Sequence, residues 1–297
     1  MNRRHFIQIS LTGAIIPFLG FPVSSHAQSQ TAFRTLRNNV GLFTGRGGTI
    51  GWLATPETLV VVDAQFPETA KVCWEELHRR TNRPIDLLIN THHHRDHTAG
   101  NTALRPHATH IVAHKAVPAL QRQAYADQFP QVYPDLTFEQ AITWDAGPER
   151  ITATFYGPAH TGGDAIIHFQ EANIVHVGDL VFNRMPCFID LPAGATTIGW
   201  IKALEKIYST FDPDTLFIFG HGNPKYGVTG TRKDIHVMRD FLVGLREYVK
   251  KSIQKGRTLE EMTRVDRLPG FPEHYLESWK EGIPNAIRAV YQEISQS

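Results

Sequence analysis

Thr91-His92-His93-His94-Arg95-Asp96-His97 is the stretch on which the reading of this chain turns. It follows Ile85-Asp86-Leu87-Leu88-Ile89, a short apolar run that reads as a strand, so the histidines leave that strand's carboxyl end. In an extended loop His92, His94 and Asp96 project to one side, because side-chain direction alternates. His97 opens a new segment and points at the same space from a helix N-terminus, while His93 turns the opposite way. Three imidazoles and a carboxylate converging in this way form the donor set that zinc and similar borderline cations prefer. Taken alone, the run is equally compatible with a solvated polar loop.

Three distant features favour the metal. Gly157-Pro158-Ala159-His160-Thr161-Gly162-Gly163-Asp164 places a histidine on a glycine-bearing turn after the strand predicted over 151–156. His176-Val177-Gly178-Asp179 ends another strand on a carboxylate, and Phe219-Gly220-His221-Gly222 ends a third on a histidine between glycines. Strand ends are where sites gather in open sheets, and glycine lets backbone come close to an ion. The other histidines, including His93, His168, His176 and His274, read as packing or surface residues.

Outward from this constellation the chain alternates. Strands are predicted over 33–43, 48–54 and 58–63, the last two joined by a turn at Thr55-Pro56-Glu57. A helix follows from Glu68 to Arg80, starting after Pro67, with Ala70, Cys73, Trp74 and Leu77 at helical spacing. Further strands are expected at 109–113, 151–156, 165–169, 173–177 and 216–219, and helices at 115–123 and 198–208. From 233 onward the pattern is mostly helical. Hairpins mixed with strand–helix units exclude a plain doubly wound parallel sheet and favour mixed sheets covered by helices.

His92, His94, Asp96, His97, His160, Asp179 and His221, in that order, resemble the metallo-β-lactamase superfamily, whose signature runs His-x-His-x-Asp-His, then His, Asp or Cys, and His. The resemblance covers about residues 33–227 and implies an α/β fold, an αββα sandwich of two mixed sheets flanked by helices. It implies that His92, His94 and His160 hold one divalent ion, that Asp96, His97 and His221 hold a second, and that Asp179 bridges them. Zinc is the expected metal, with iron or manganese as alternatives. A hydroxide shared by the two ions would attack a carbonyl in an ester, thioester, lactone or amide, with Asp96 orienting it. An aspartate rather than a cysteine at position 179 is more similar to glyoxalase II than to the cysteine-bearing β-lactamases. Asp63 matches an acidic position behind the ligands, placed to fix a ligand histidine's tautomer; a plain turn residue is an equal reading. Within this resemblance, β-lactam hydrolysis and a persulfide dioxygenase with one iron are the competing activities.

The first 27 residues read as an export signal. Arg3-Arg4 precede a short apolar run, and Ser25-His26-Ala27 offers small residues for cleavage; the paired arginines resemble a twin-arginine signal. The division expected is a signal at 1–27, a catalytic domain at 28–230, and a helical segment at 231–297 packed on it. A periplasmic or otherwise exported location follows, with no stable membrane span after processing. The formal net charge of +1 gives no field that would favour nucleic acid, leaving a small molecule as the expected partner. Two cysteines, Cys73 and Cys187, make no disulfide scaffold and are expected to be free.

Overall fold

The structure, a computed structural model, describes residues 31–126 and 128–296; the export segment read over residues 1–27 lies outside them. Two sheets are stacked face to face. The first runs β1 (Ala32–Arg37), β2 (Val40–Thr44), β3 (Ile50–Ala54), β4 (Leu59–Val62), β5 (Ile85–Ile89), β6 (Ala108–His114) and β7 (Leu136–Phe138), in that spatial order. It is antiparallel from β1 to β4 and parallel from β4 to β7. The change of sense falls at the β4–β5 pair, next to the histidine run.

The second sheet has the order β15 (Thr229–Gly230), β13 (Leu216–Ile218), β11 (Ile174–His176), β10 (Ala165–Phe169), β9 (Glu149–Phe155) and β8 (Ala141–Ala146). A short parallel pair joins β12 (Phe182–Asn183) to β14 (His221–Gly222).

Strand side chains alternate between layers, and this alternation builds three cores. Val60 and Val62 of β4 face the second sheet, meeting Ile167 and Phe169 of β10 and Ile218 of β13. Leu59 and Val61 face the other way, onto Ala70, Cys73 and Leu77 of α1 (Pro67–Arg80). On the second sheet Ile166, Val175, Phe217 and Phe219 face outward. They are covered by α5 (Thr197–Thr210), α6 (Arg232–Gln254) and α8 (Gly282–Ser295) through Trp200, Phe241 and Ile287. The result is the helix–sheet–sheet–helix sandwich the sequence led us to expect.

Local departures from the expectations have physical causes. The single strand expected over 33–43 is a hairpin, because Asn38 and Asn39 both adopt left-handed backbone (φ 45° and 62°), the pairing that a tight two-residue turn requires. The loop after β5 does not stay extended: α2 (Arg95–Thr98) begins at Arg95, so Asp96 and His97 sit on its one turn. Cys73 and Cys187 are free and buried, and burial pushes the Cys187 thiol up to about 12.

Candidate metal centre

Each expected ligand lies at the end of an element. His92 and His94 follow β5, and Asp96 and His97 ride on α2. His160 follows β9, Asp179 follows β11 and His221 opens β14 beyond β13. The two sheets bring these seven side chains to one edge of the sandwich, where they form two groups.

The deeper group is His92, His94 and His160 with Asp179. His94 Nδ1 lies 3.0 Å from both His92 Nε2 and His160 Nε2, so three ring nitrogens face one point. The partners of the opposite nitrogens fix which nitrogen is bare. His160 Nδ1 is 2.8 Å from the Phe188 carbonyl, which only accepts, so Nδ1 carries the proton and Nε2 is bare. The Thr91 hydroxyl donates to Asp63 Oδ2 (2.8 Å), so its oxygen accepts from His92 Nδ1 (3.0 Å) and again Nε2 is bare. Burial first, then neighbouring imidazoles, hold His92 well below the ordinary histidine range and His160 at about 3. Both are therefore neutral, with lone pairs available to a cation.

Asp96, His97 and His221 form the second group. His221 Nε2 is 3.0 Å from Asp96 Oδ2 and 3.3 Å from His97 Nε2. His97 donates from Nδ1 to Asp63 Oδ2 at 2.7 Å, leaving Nε2 toward the group. Burial alone would lower the His221 pKa, but the carboxylates of Asp179 and Asp96 beside it raise it to about 10. The same balance raises His97, through Asp179, Asp63 and Asp96. This half of the site attracts positive charge.

Asp179 stands between the groups. Its Oδ1 is 3.0 Å from His97 Nε2, and its Oδ2 lies 3.4 Å from His221 Nε2, 3.6 Å from His160 Nε2 and 3.8 Å from His92 Nε2. Oδ1 is buried and lacks a hydrogen-bond partner, an orphaned acceptor that suits a cation. Glycine makes room around it: a Cβ on Gly220 would sit 1.9 Å from Asp179 Oδ1, and one on Gly48 would sit 2.1 Å from the His97 ring. The donor set and this cradle fit divalent metal.

Asp63 is fully buried and holds two parts of the site at once, through His97 and through Thr91, whose amide donates to Oδ1 at 2.8 Å. It occupies left-handed backbone (φ 64°), strain that the surrounding bonds sustain. His93 turns away from the convergence point, yet it is buried, and its Nε2 lies 3.5 Å from Asp190 Oδ2. Asp190, which the sequence offers only as the end of a stretch (182–190) able to wall the pocket, also accepts from His94 Nε2 at 2.8 Å; it lies in an irregular loop that no spacing rule ties to the histidines. Part of that loop walls the site: the half-exposed Phe188 ring lies 5.5 Å from His94, and Phe182 stacks on His221 at 5.4 Å.

Residues 43–260 match the Metallo-beta-lactamase superfamily. The chain belongs to that superfamily. Among its relatives, a hydroxyacylglutathione hydrolase of Brucella anthropi is 25% identical over 178 residues, 59% of this chain and 62% of that protein. A linear primary-alkylsulfatase of a Pseudomonas species is 21% identical over 296 residues, 81% of this chain and 54% of that protein. The chain thus spans between half and two thirds of the length of both. Among solved structures, a metallo-beta-lactamase from Pontibacter korlensis superposes with a TM-score of 0.62 at 17% identity, over 72% of this chain and 99% of that one. With the family match, the solved structure gives the chain the superfamily's fold. Among the described residues no helix is long and apolar enough to cross a membrane.

Proposed function

We propose that this chain is an exported hydrolase that holds two divalent ions, zinc first among them, and cleaves an ester, thioester, lactone or amide. The observation that carries the reading is the sharing of Asp179 between two donor groups that already face each other. His92 Nε2, His94 Nδ1 and His160 Nε2 would hold one ion, and Asp96, His97 and His221 the other, with Asp179 reaching both. Bound there, the ions would lower the pKa of a water and polarise the substrate oxygen. Asp96, about a third exposed, faces the open side and would accept a hydrogen bond from the attacking water, orienting it. Phe188 and Phe182 would exclude bulk water from the same side and pack against the substrate's apolar part. Export rests on the sequence of residues 1–27.

A second reading, hydrolysis of a sulfate ester, is favoured by one observation. The alkylsulfatase relative matches 81% of this chain, whereas the hydroxyacylglutathione hydrolase matches 59%. The aspartate at 179 weighs against β-lactams.

Purified protein loaded with zinc, manganese or iron should be assayed on thioesters, esters, lactones, amides, nitrocefin and alkyl sulfates. Turnover of one class is expected, with Asp96→Asn slowed by roughly 10²-fold or more. One iron per chain and oxygen consumption with a persulfide would overturn the hydrolase. An unprocessed N-terminus on protein recovered from cells would count against export.

A further inference from the structure

A metal-binding imidazole is set by the partner of its other nitrogen, and the three converging histidines differ in that partner. His92 is met by the Thr91 hydroxyl, His160 by the Phe188 carbonyl, and His94 by the Asp190 carboxylate. Of these partners Asp190 alone is charged, and its 2.8 Å contact to His94 Nε2 is a charge-assisted hydrogen bond.

Asp190 is itself held from several sides. Its amide donates to the His160 carbonyl at 3.4 Å, its carbonyl accepts from Ala195 N at 3.0 Å, and its Oδ1 accepts from Ala193 N at 3.3 Å. His93 closes the remaining side. Its Nε2 lies 3.5 Å from Asp190 Oδ2, its ring stacks on Tyr125 at 6.2 Å, and its Nδ1 is buried without a partner. One short loop therefore ties the His160 turn, the His94 ring and the His93 ring into a unit.

We propose that Asp190 is a positioning residue for His94. It accepts the Nε2 proton, so the populated tautomer is the one presenting a bare Nδ1 to His92 and His160, and His93 keeps water from competing for the carboxylate. The proposal rests on the metal-binding reading of the site given above. His93, His94 and Asp190 also lie close enough together to surround a cation of their own. That arrangement would take the Nε2 proton from His94 and spread a pair of atoms now 2.8 Å apart, and the hydrogen bond is the better account of the geometry.

The test is metal affinity in stripped wild-type, Asp190→Ala and Asp190→Asn proteins, titrated with zinc against a chelator, together with the visible spectrum of the cobalt(II)-loaded forms. Asp190→Ala should weaken one bound equivalent by about 10–100-fold and shift the cobalt bands, leaving any other equivalent in place. Asp190→Asn, which keeps an acceptor and the cap on Ala193, should recover much of both. That recovery separates positioning from a fold defect, which would move the unfolding midpoint of the stripped protein. Unchanged affinity and spectrum in Asp190→Ala would overturn the proposal, as would a third zinc equivalent that this variant alone loses. If wild type binds a single ion that Asp190→Ala weakens, the two-ion reading fails and this one stands. If wild type binds none, both fail.

Discussion

A buried imidazole has two nitrogens to satisfy, and the histidines of this protein meet that demand in different ways. His176 donates from Nε2 to the Thr49 carbonyl (2.9 Å) and accepts at Nδ1 from Gly178 N (3.2 Å), stapling the two sheets together. His92, His94, His97 and His160 each spend one nitrogen on protein and leave the other toward the convergence points. His274 does neither. It lies flat on Phe241, rings 4.2 Å apart and 3° from parallel, with both nitrogens buried and unpartnered. Burial, assisted by Arg184 and opposed by Glu273, lowers its pKa to about 4. The folded chain thus refuses a proton that the unfolded chain accepts below about 6.5. Its stabilising contribution is complete above that pH and is lost as pH falls through about 4, a total on the order of 3 kcal/mol. In stripped protein, His274→Phe keeps the stack and should flatten the urea stability curve between pH 6.5 and 4 relative to wild type. Parallel curves would show that His274 does not titrate as its surroundings imply.

At the scale of elements, legibility followed the strength of the pattern. Leu59–Val62, buried on both faces, announces itself through continuous apolar side chains, and Ile85–Ile89 nearly so, with only Asp86 breaking the run. The strands β7 and β8 went unread because both are edge strands: β7 has only three residues, and β8 alternates but buries its inward side chains only in part. The candidate donors were legible because four of them lie in one run after β5 and the other three follow strands, Asp179 and His221 beside glycines. Asp190 was not, since its role exists only once His94 and the His160 turn are folded beside it. Helix α8 shows the same limit: its apolar stripe predicts a helix, but its anchor is a polar contact with a distant segment. Glu293 accepts from Thr196 Oγ1 and Thr197 N, both at 2.9 Å, from the Thr197 hydroxyl, and from Arg246 at 2.9 Å. It thereby ties α8 to the start of α5 and to α6, with both charged side chains largely buried. Glu293→Ala leaves Arg246 and two hydroxyls without this acceptor and should cost about 3 kcal/mol in urea unfolding. A loss below about 1 kcal/mol would place the anchor in the apolar face of α8 instead.

For the whole molecule the question is whether residues 231–297 are an appendage or part of the catalytic unit. The core behind the second sheet answers through its membership. Twelve of its thirty buried side chains, from Ile235 to Val290, come from this segment, and they share one cluster with Val175, Phe217 and Phe219. Without them the outward face of β11 and β13 would lose the cover of α6 and α8. Burying a large aliphatic or aromatic side chain contributes about 1.5–3 kcal/mol, while a domain's net stability is about 5–15 kcal/mol, so losing even half of these contacts is comparable to the whole margin. The candidate metal centre would go with them, because Asp179 and His221 lie just beyond the ends of β11 and β13. We therefore expect a chain ending at Gly230 to be insoluble or to lack a cooperative thermal transition. Adding residues 231–297 as a separate polypeptide should restore folding only if the two pieces associate before the first aggregates. A truncated protein that unfolds cooperatively and still binds metal as the full chain does would make the helical segment a separate, dispensable cover.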